Sequence, residues 1–288
     1  GDPVAMAIMN ATSMFVPSSS SSSGGGVDML WSTFVSTRSD FLLYCYTFPI
    51  LVIGYTVGCL PYVLLDILRP AWAAKFRLQG SVYNPKPTIW TCYKGVQALM
   101  WSVIGPLQVF SYPFFYLANI SAKDPLPPLW LALVQIATWF IIEDYGNYFI
   151  HRWLHSGWAY RKIHYMHHEY DTPMAPAASW AHPVEILVLG IPTFVGPAVT
   201  GCHMITCWAW FTIRQLEAVE THSGYDLPFP LCWTKLIPFY GGAKYHDYHH
   251  RIGGECCGNY ASVFTWCDWA YGTDKGYRVS ESLKKKTS

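Results

Sequence analysis

The sequence predicts an all-α membrane protein: a multi-span helical bundle with a cytosolic helical cap that holds a histidine-rich dinuclear metal site. Apolar residues make up 52% of the 288 residues and charged residues only 13%, about half of the roughly 25% usual in soluble domains. Several apolar segments are long enough to cross a bilayer. Eight of the eleven histidines form three tight clusters, at residues 151–155, 164–168 and 246–250.

The apolar segments at residues 41–68, 95–117 and 129–148 are each predicted to span the membrane, because a spanning helix needs about 20 apolar residues. Residues 66–94 carry five basic residues against Asp66 alone, so the positive-inside rule places them in the cytosol. The third span then returns the chain to the cytosolic face, where the first two histidine clusters emerge.

Residues 184–211 are apolar but are interrupted by Pro192, Pro197 and several glycines. Two full spans need about 40 residues, more than this segment has. We therefore predict a pair of bent or partly inserted helices that turn at residues 196–201. With that turn, all three histidine clusters lie on one side of the membrane.

Three parts are predicted along the chain: a flexible Ser/Gly-rich segment at residues 1–40, a membrane-embedded catalytic domain at 41–280 and a basic tail at 281–288. Lys285 and Lys286 match a dilysine signal for retrieval to the endoplasmic reticulum, which requires a cytosolic C-terminus. The alternative is an ordinary solvated basic tail. A net charge of +1 gives no reason to expect a nucleic-acid partner.

The histidine spacing predicts metal ligands. Glu143, Asn147, His151 and His155 are four residues apart and share one face of a helix, and the other two clusters both have the spacing H-x-x-H-H. Eight neutral imidazoles are too many for one tetrahedral zinc and favour two metal ions, most economically a dinuclear iron site. The eight predicted ligands are His151, His155, His164, His167, His168, His246, His249 and His250.

Further ligands are predicted around these clusters. His222 follows a helical stretch at residues 214–220 and is interpreted as a ninth ligand. His182 is expected either to shape a pocket or to cap the start of a helix, and His203 to pack among apolar residues. Candidates for a carboxylate ligand, or for acceptors that orient the imidazoles, are Glu143, Glu217, Glu220, Asp226 and Asp247.

Motifs for other chemistries are absent from the sequence. It contains no H-E-x-x-H, no G-x-S-x-G, no Gly-rich phosphate loop and no C-x-x-C-H haem site. It also contains no flavin or nicotinamide fingerprint. Electrons for any oxygen chemistry would therefore have to come from another protein.

The three clusters resemble those of the membrane fatty acid hydroxylase and sterol desaturase superfamily, whose pattern is H-x-x-x-H, H-x-x-H-H and H-x-x-H-H. Within it, the neighbouring motifs are similar to the methylsterol monooxygenases, the sterol C-4 methyl oxidases, in their plant forms. The resemblance covers roughly residues 41–278. Its motifs are IEDY at 142–145, AHP at 181–183, THSGYD at 221–226, IPFYGG at 237–242, NYASVF at 259–264 and YGTD at 271–274.

This resemblance implies an enzyme of the endoplasmic reticulum membrane that oxidises a C-4 methyl group of sterol precursors with two iron ions and O2. It implies electrons from NAD(P)H through cytochrome b5 and its reductase, with decarboxylation by a separate enzyme. It implies that the three clusters and His222 are metal ligands, with zinc possible in the purified protein. The fatty acid 2-hydroxylase branch has a further histidine paired with His222. In this sequence Ala218 stands four residues before His222 and Asp226 four residues after it, so the identity of a tenth ligand is left open. Expected to line a sterol pocket are Trp180, His182 and Tyr225.

Two alternatives remain open from the sequence. The same scaffold carries sterol desaturases, fatty-acyl or sphingoid hydroxylases and aldehyde decarbonylases. A different class is a non-catalytic membrane protein whose histidines bind zinc. Analysis of the products distinguishes sterol C-4 methyl oxidation from the other activities of the scaffold. Analysis of the bound metal distinguishes the oxygenase from a non-catalytic zinc-binding protein.

Overall fold

Helices make up most of the chain, as predicted. The computed structural model describes residues 25–255 and 257–287. Most of the segment predicted to be flexible, residues 1–24, lies outside this part, as does Ser288 of the predicted basic tail. The last part of that segment does form a helix, α1 (Gly26–Ser36).

The first half of the chain forms two helical columns. Ser39 caps α2 by accepting a hydrogen bond from the backbone N–H of Leu42, and α3 follows almost directly. The second column is broken by a π-helical turn at Met100–Ile104, just before Gly105 and Pro106. The elements are α2 (Asp40–Cys45), α3 (Thr47–Leu68), α4 (Ala71–Ala74), α5 (Lys86–Leu99), α6 (Gly105–Phe110), α7 (Tyr112–Leu117) and β1 (Ile120–Ser121).

The second half contains the longest helix, α8 (Leu129–Leu154), and every predicted metal ligand. Short 3₁₀ turns at His164–Glu169, Ala175–Ser179 and Trp233–Leu236 connect its helices. The remaining elements are α9 (Gly157–Lys162), α10 (Pro183–Thr200), β2 (Cys202–His203), α11 (Met204–Thr221), α12 (Gly242–Ile252), α13 (Trp266–Tyr271) and α14 (Lys275–Thr287).

Two helical stretches in the described part are long and apolar enough to cross a membrane, Asp40–Leu68 and Pro183–Thr200. The first coincides with the first predicted span. Many of its apolar side chains face outward, among them Ile53, Val57 and Leu60, which are each more than half exposed. These features indicate a membrane protein, because such a surface is unfavourable in water. The second and third predicted spans correspond to the broken column from α5 to α7 and to α8, and their insertion stays a prediction.

The predicted pair of helices at residues 184–211 is present as α10 and α11. The turn between them is at Gly201, at the end of the expected range, where φ is +54°. The residues after it form β2, which pairs in parallel with β1 through Ile120 and Cys202. The two helices therefore run in opposite directions and bring the chain back to the side where α8 ends.

Small residues allow α8 and α10 to pack closely. A Cβ atom on Gly146 would lie 2.8 Å from Cβ of Pro192, and one on Gly196 would lie 2.6 Å from Cδ1 of Trp139. α11 packs against α3, where Gly58 faces Leu216. The packed helices α3, α8, α10 and α11 thus form the frame on which the histidine-bearing segments are placed.

Candidate metal centre

The nine histidines predicted as ligands come together in two adjacent buried groups. In each group the candidate ligand atoms all lie within 4.8 Å of one another, and each group can hold a metal ion. The five-histidine group consists of His151, His155, His164, His168 and His249, and the four-histidine group of His167, His222, His246 and His250.

Four separate segments supply these side chains. The end of α8 supplies His151 and His155, the 3₁₀ turn after α9 supplies the second cluster, His222 directly follows α11, and α12 supplies the third cluster. The second cluster was predicted to have helical spacing, and its helix is of the 3₁₀ type. With three residues per turn, His164 and His167 stack, with ring centroids 5.3 Å apart. Both H-x-x-H-H clusters contribute to both groups.

Backbone carbonyl groups orient most of the imidazoles. Nδ1 of His151 lies 2.8 Å from the Tyr260 oxygen, that of His155 2.8 Å from the Gly254 oxygen and that of His249 2.8 Å from the Gly258 oxygen. His167 and His222 are held in the same way by the carbonyls of Trp180 and Ala218, at 3.1 and 2.8 Å. A carbonyl oxygen only accepts hydrogen bonds, so each Nδ1 carries the proton and each Nε2 keeps its lone pair.

Glu185 orients a further imidazole and was missed by sequence reasoning as a site residue. Its Oε1 lies 2.8 Å from Nδ1 of His164, and both side chains are buried. A carboxylate behind a histidine fixes the ring and raises its basicity as a ligand. The available signal was a single acidic residue at the start of an otherwise apolar segment.

The Nε2 atoms face one another inside each group. Those of His155 and His164 are 2.9 Å apart, and those of His222 and His246 are also 2.9 Å apart. Burial lowers the pKa of His155 and of His167 to about 4 and that of His222 to about 3, so these rings are neutral at physiological pH. Lone pairs that converge without protons repel one another unless a cation lies between them. The arrangement therefore fits two metal ions of the kind that imidazole binds.

The five carboxylates considered as ligands lie outside both groups. Glu143 and Glu217 flank Arg214: Oε1 of Glu143 lies 2.8 Å from Nη2 of Arg214, and Glu217 pairs with Nη1. The other three contact different partners: Glu220 accepts from Tyr240, Asp226 pairs with Lys235, and Asp247 accepts from Gln79 at 2.8 Å.

A cavity of about 260 Å³ lies against the histidines. Histidines from both groups border it, including His151 and His164 from one and His222 and His246 from the other. Apolar side chains from the π-helical turn before α6 and from α10 form much of the cavity wall. Polar side chains from α8 and α11 form another part of it. The apolar side chains on the wall include Ile104, Ile186 and Leu189.

The three residues expected to line a substrate pocket are not among those bordering this cavity. Nε1 of Trp180 donates to Glu169, and the hydroxyl of Tyr225 donates to Asp66. His182 caps α10: its Nδ1 accepts from the backbone N–H of Val184 at 3.2 Å, which is the second of its two expected roles. Among the described residues, those that border the cavity include no tryptophan, tyrosine or phenylalanine, so the search for aromatic side chains did not find them.

Comparison with known proteins agrees with this geometry. Residues 136–273, which include all nine histidines, match the fatty acid hydroxylase family model. Methylsterol monooxygenase 1-1 of Arabidopsis thaliana is 48% identical over 259 residues, covering 89% of this chain and 86% of the relative. Methylsterol monooxygenase 1-3 of the same plant is 46% identical over 256 residues, covering 89% and 87%.

A very-long-chain aldehyde decarbonylase of Oryza sativa subsp. japonica is 47% identical over 259 residues, covering 90% of this chain and 85% of the relative. No solved structure matches the chain. Identity this high over most of both chains, together with the two histidine groups, establishes the relationship. The chain belongs to the fatty acid hydroxylase family.

Proposed function

We propose that the chain is a methylsterol monooxygenase, which oxidises a C-4 methyl group of sterol precursors with O2. The observation that carries the proposal is the pair of histidine groups bordering one cavity, in a chain nearly half identical to two plant methylsterol monooxygenases along most of its length. A flat, largely apolar substrate suits a cavity that apolar side chains wall beside the metal ligands.

The five-histidine and four-histidine groups would hold one iron ion each. Two iron ions, when bound and reduced, supply the chemistry for oxidising an unactivated methyl group with O2. The protein's own part is geometric. The carbonyls of Tyr260, Gly254 and Gly258 and the carboxylate of Glu185 hold the imidazoles, and the apolar cavity wall keeps water away and aims the methyl group.

Electrons are proposed to come from NAD(P)H through cytochrome b5 and its reductase, since the chain has no flavin or nicotinamide motif of its own. The oxidised product is proposed to pass to a separate C-4 decarboxylase and related sterol enzymes. We place the protein in the endoplasmic reticulum membrane as a multi-pass protein, with the histidine face and the C-terminal region in the cytosol. Basic side chains on and beside α12 support this orientation by the positive-inside rule, namely Lys75, Arg77, Lys244, Arg251 and Lys284.

The test is turnover by the purified full-length protein, with a cytochrome b5 reducing system, of a 4,4-dimethylsterol and of a very-long-chain aldehyde in parallel. The aldehyde represents the second candidate function, which the Oryza sativa relative favours. We expect oxidised C-4 products by mass spectrometry from the sterol and none from the His249→Ala variant. Turnover of the aldehyde alone would replace the sterol assignment.

Metal analysis of protein purified without added metal tests the non-catalytic alternative. About two iron ions per chain support the oxygenase. Protein that binds zinc and, after iron is restored, still oxidises neither substrate is a zinc-binding membrane protein.

A further inference from the structure

A buried polar cluster borders the cavity beside the histidines. We name Glu143, Asn147, Arg214 and Glu217 the Arg214 cluster; all four line the cavity. Nδ2 of Asn147 donates to Oε1 of Glu143, and Arg214 bridges the two glutamates. Asn147 is only 6% exposed and Glu143 1%. None of these side chains belongs to the two ligand groups.

The Arg214 cluster has more acceptors than donors. Within the described part of the chain, Oε2 of Glu143, Oδ1 of Asn147 and Oε1 of Glu217 have no hydrogen-bond partner, against one free donor, Nε of Arg214. A buried polar atom that is left unpaired destabilises the folded protein, so these atoms favour a ligand that pairs with them. A ligand that completes this cluster must therefore bring a hydrogen-bond donor, and the two carboxylates disfavour an anion.

The position of the cluster relates it to the metal ligands. Asn147 and Glu143 lie one and two turns before His151 on the same face of α8, at intervals of about 6 Å along the helix. Asn147 and His151 border the same cavity, so a donor group held at Asn147 lies about one helical turn from the histidine groups.

We propose that the Arg214 cluster binds the C-3 hydroxyl group of the sterol and thereby presents the C-4 methyl group to the metal site. This inference rests on the proposed function. In a sterol, the carbon that bears the hydroxyl is bonded directly to C-4, so anchoring one places the other. A hydroxyl can donate to Oδ1 of Asn147 or Oε2 of Glu143, whereas a fatty aldehyde has only an acceptor oxygen.

The test measures binding of three ligands to the purified full-length protein in lipid nanodiscs, by displacement of a radiolabelled 4,4-dimethylsterol. The ligands are that sterol, its 3-deoxy analogue and its 3-ketone. We expect the native protein to prefer the hydroxyl form by about tenfold or more, as for a hydrogen bond to a charged group. In Asn147→Leu that preference falls towards one, while the affinity for the 3-deoxy analogue is kept.

A second variant guards against loss of folding. Glu143→Gln keeps the shape of the side chain and supplies an amide donor, so we expect its affinity for the 3-ketone to rise relative to the hydroxyl form. The matched control is Gln97→Leu. Gln97 is a half-buried amide on α5 that does not border the cavity, so this variant should discriminate between the three sterols as the native protein does.

The outcomes separate this inference from the function on which it rests. Equal affinity of the native protein for the hydroxyl and 3-deoxy forms, or unchanged discrimination in both Asn147→Leu and Glu143→Gln, overturns the anchoring role while leaving sterol binding intact. Failure of all three sterols to bind, with capture of a very-long-chain aldehyde instead, overturns the proposed function itself.

Discussion

His167 and His168 are adjacent in the chain, yet they belong to different ligand groups. Nε2 of His167 lies 3.2 Å from Nε2 of His222, in the four-histidine group. Nε2 of His168 lies 3.3 Å from Nε2 of His155, in the five-histidine group. One short 3₁₀ turn therefore bridges the two candidate metal positions, so a change in this turn affects both.

Replacing these two histidines should have unequal effects on metal content. His167→Ala leaves three histidines in its group, whereas His168→Ala leaves four in the other. We expect His167→Ala to lose about one metal ion per chain and His168→Ala to lose less, measured by mass spectrometry of the purified protein. His203→Ala, whose Nε2 contacts the carbonyl of Asp124 instead, should keep the native content. Equal losses in the first two variants would contradict the two-group assignment.

Glu185 should influence metal affinity although it lies outside both groups. Glu185→Leu leaves Nδ1 of His164 without its acceptor, so we expect metal affinity to fall about 10- to 100-fold in competition with a chelator. Glu185→Gln keeps an acceptor oxygen and should lose less. Asp28→Leu, which changes an exposed carboxylate on α1, serves as the control and should bind metal normally. Native affinity in Glu185→Leu would show that His164 needs no such support.

Gly258 should not tolerate a side chain. Its φ is +78°, a Cβ there would lie 2.3 Å from the carbonyl oxygen of Thr273, and its own carbonyl holds His249. We expect Gly258→Ala to lower the melting temperature, by at least the roughly 1–3 kcal/mol of such backbone strain, and to reduce metal content. Gly190→Ala, where nothing lies within 4 Å, should be neutral or slightly stabilising in its helix. Matching melting curves for the two variants would refute the steric argument.

Arg214 should be essential for stability because it neutralises two buried carboxylates. Arg214→Met leaves Glu143 and Glu217 without a counter-charge, and we expect a loss of about 3–5 kcal/mol, read as a lower thermal transition. Adding Glu143→Gln and Glu217→Gln should restore much of that loss, since the buried charges are then removed. Lys123→Met breaks a pair with Asp40 in which both side chains are about half exposed, and it should cost under about 1 kcal/mol. No recovery in the triple variant would mean that Arg214 acts through packing.

Much of the candidate site follows from spacing alone. Residues three and four apart share a helix face, so the stripe through His151 and the third cluster on α12 form as predicted. The short length of the segment at residues 184–211 predicts its turn, which the structure has at Gly201. His222 was likewise found from its position after a helical, partly polar segment, and it lies in the four-histidine group.

The sequence by itself determined which imidazoles meet, because local helix geometry and membrane length restrict where each cluster can lie. Only the tertiary structure decided how they divide into two groups, since that depends on the 3₁₀ turn that separates His167 from His168. It also decided what holds the imidazoles. The carbonyl of Gly254 and the carboxylate of Glu185 contact rings that are 21 or more residues away in the chain. The carbonyl of Gly258 contacts His249 from a tight turn, which leaves no side-chain pattern in the sequence. Contacts made by backbone atoms and by distant helices are set by packing, which spacing along the chain does not record.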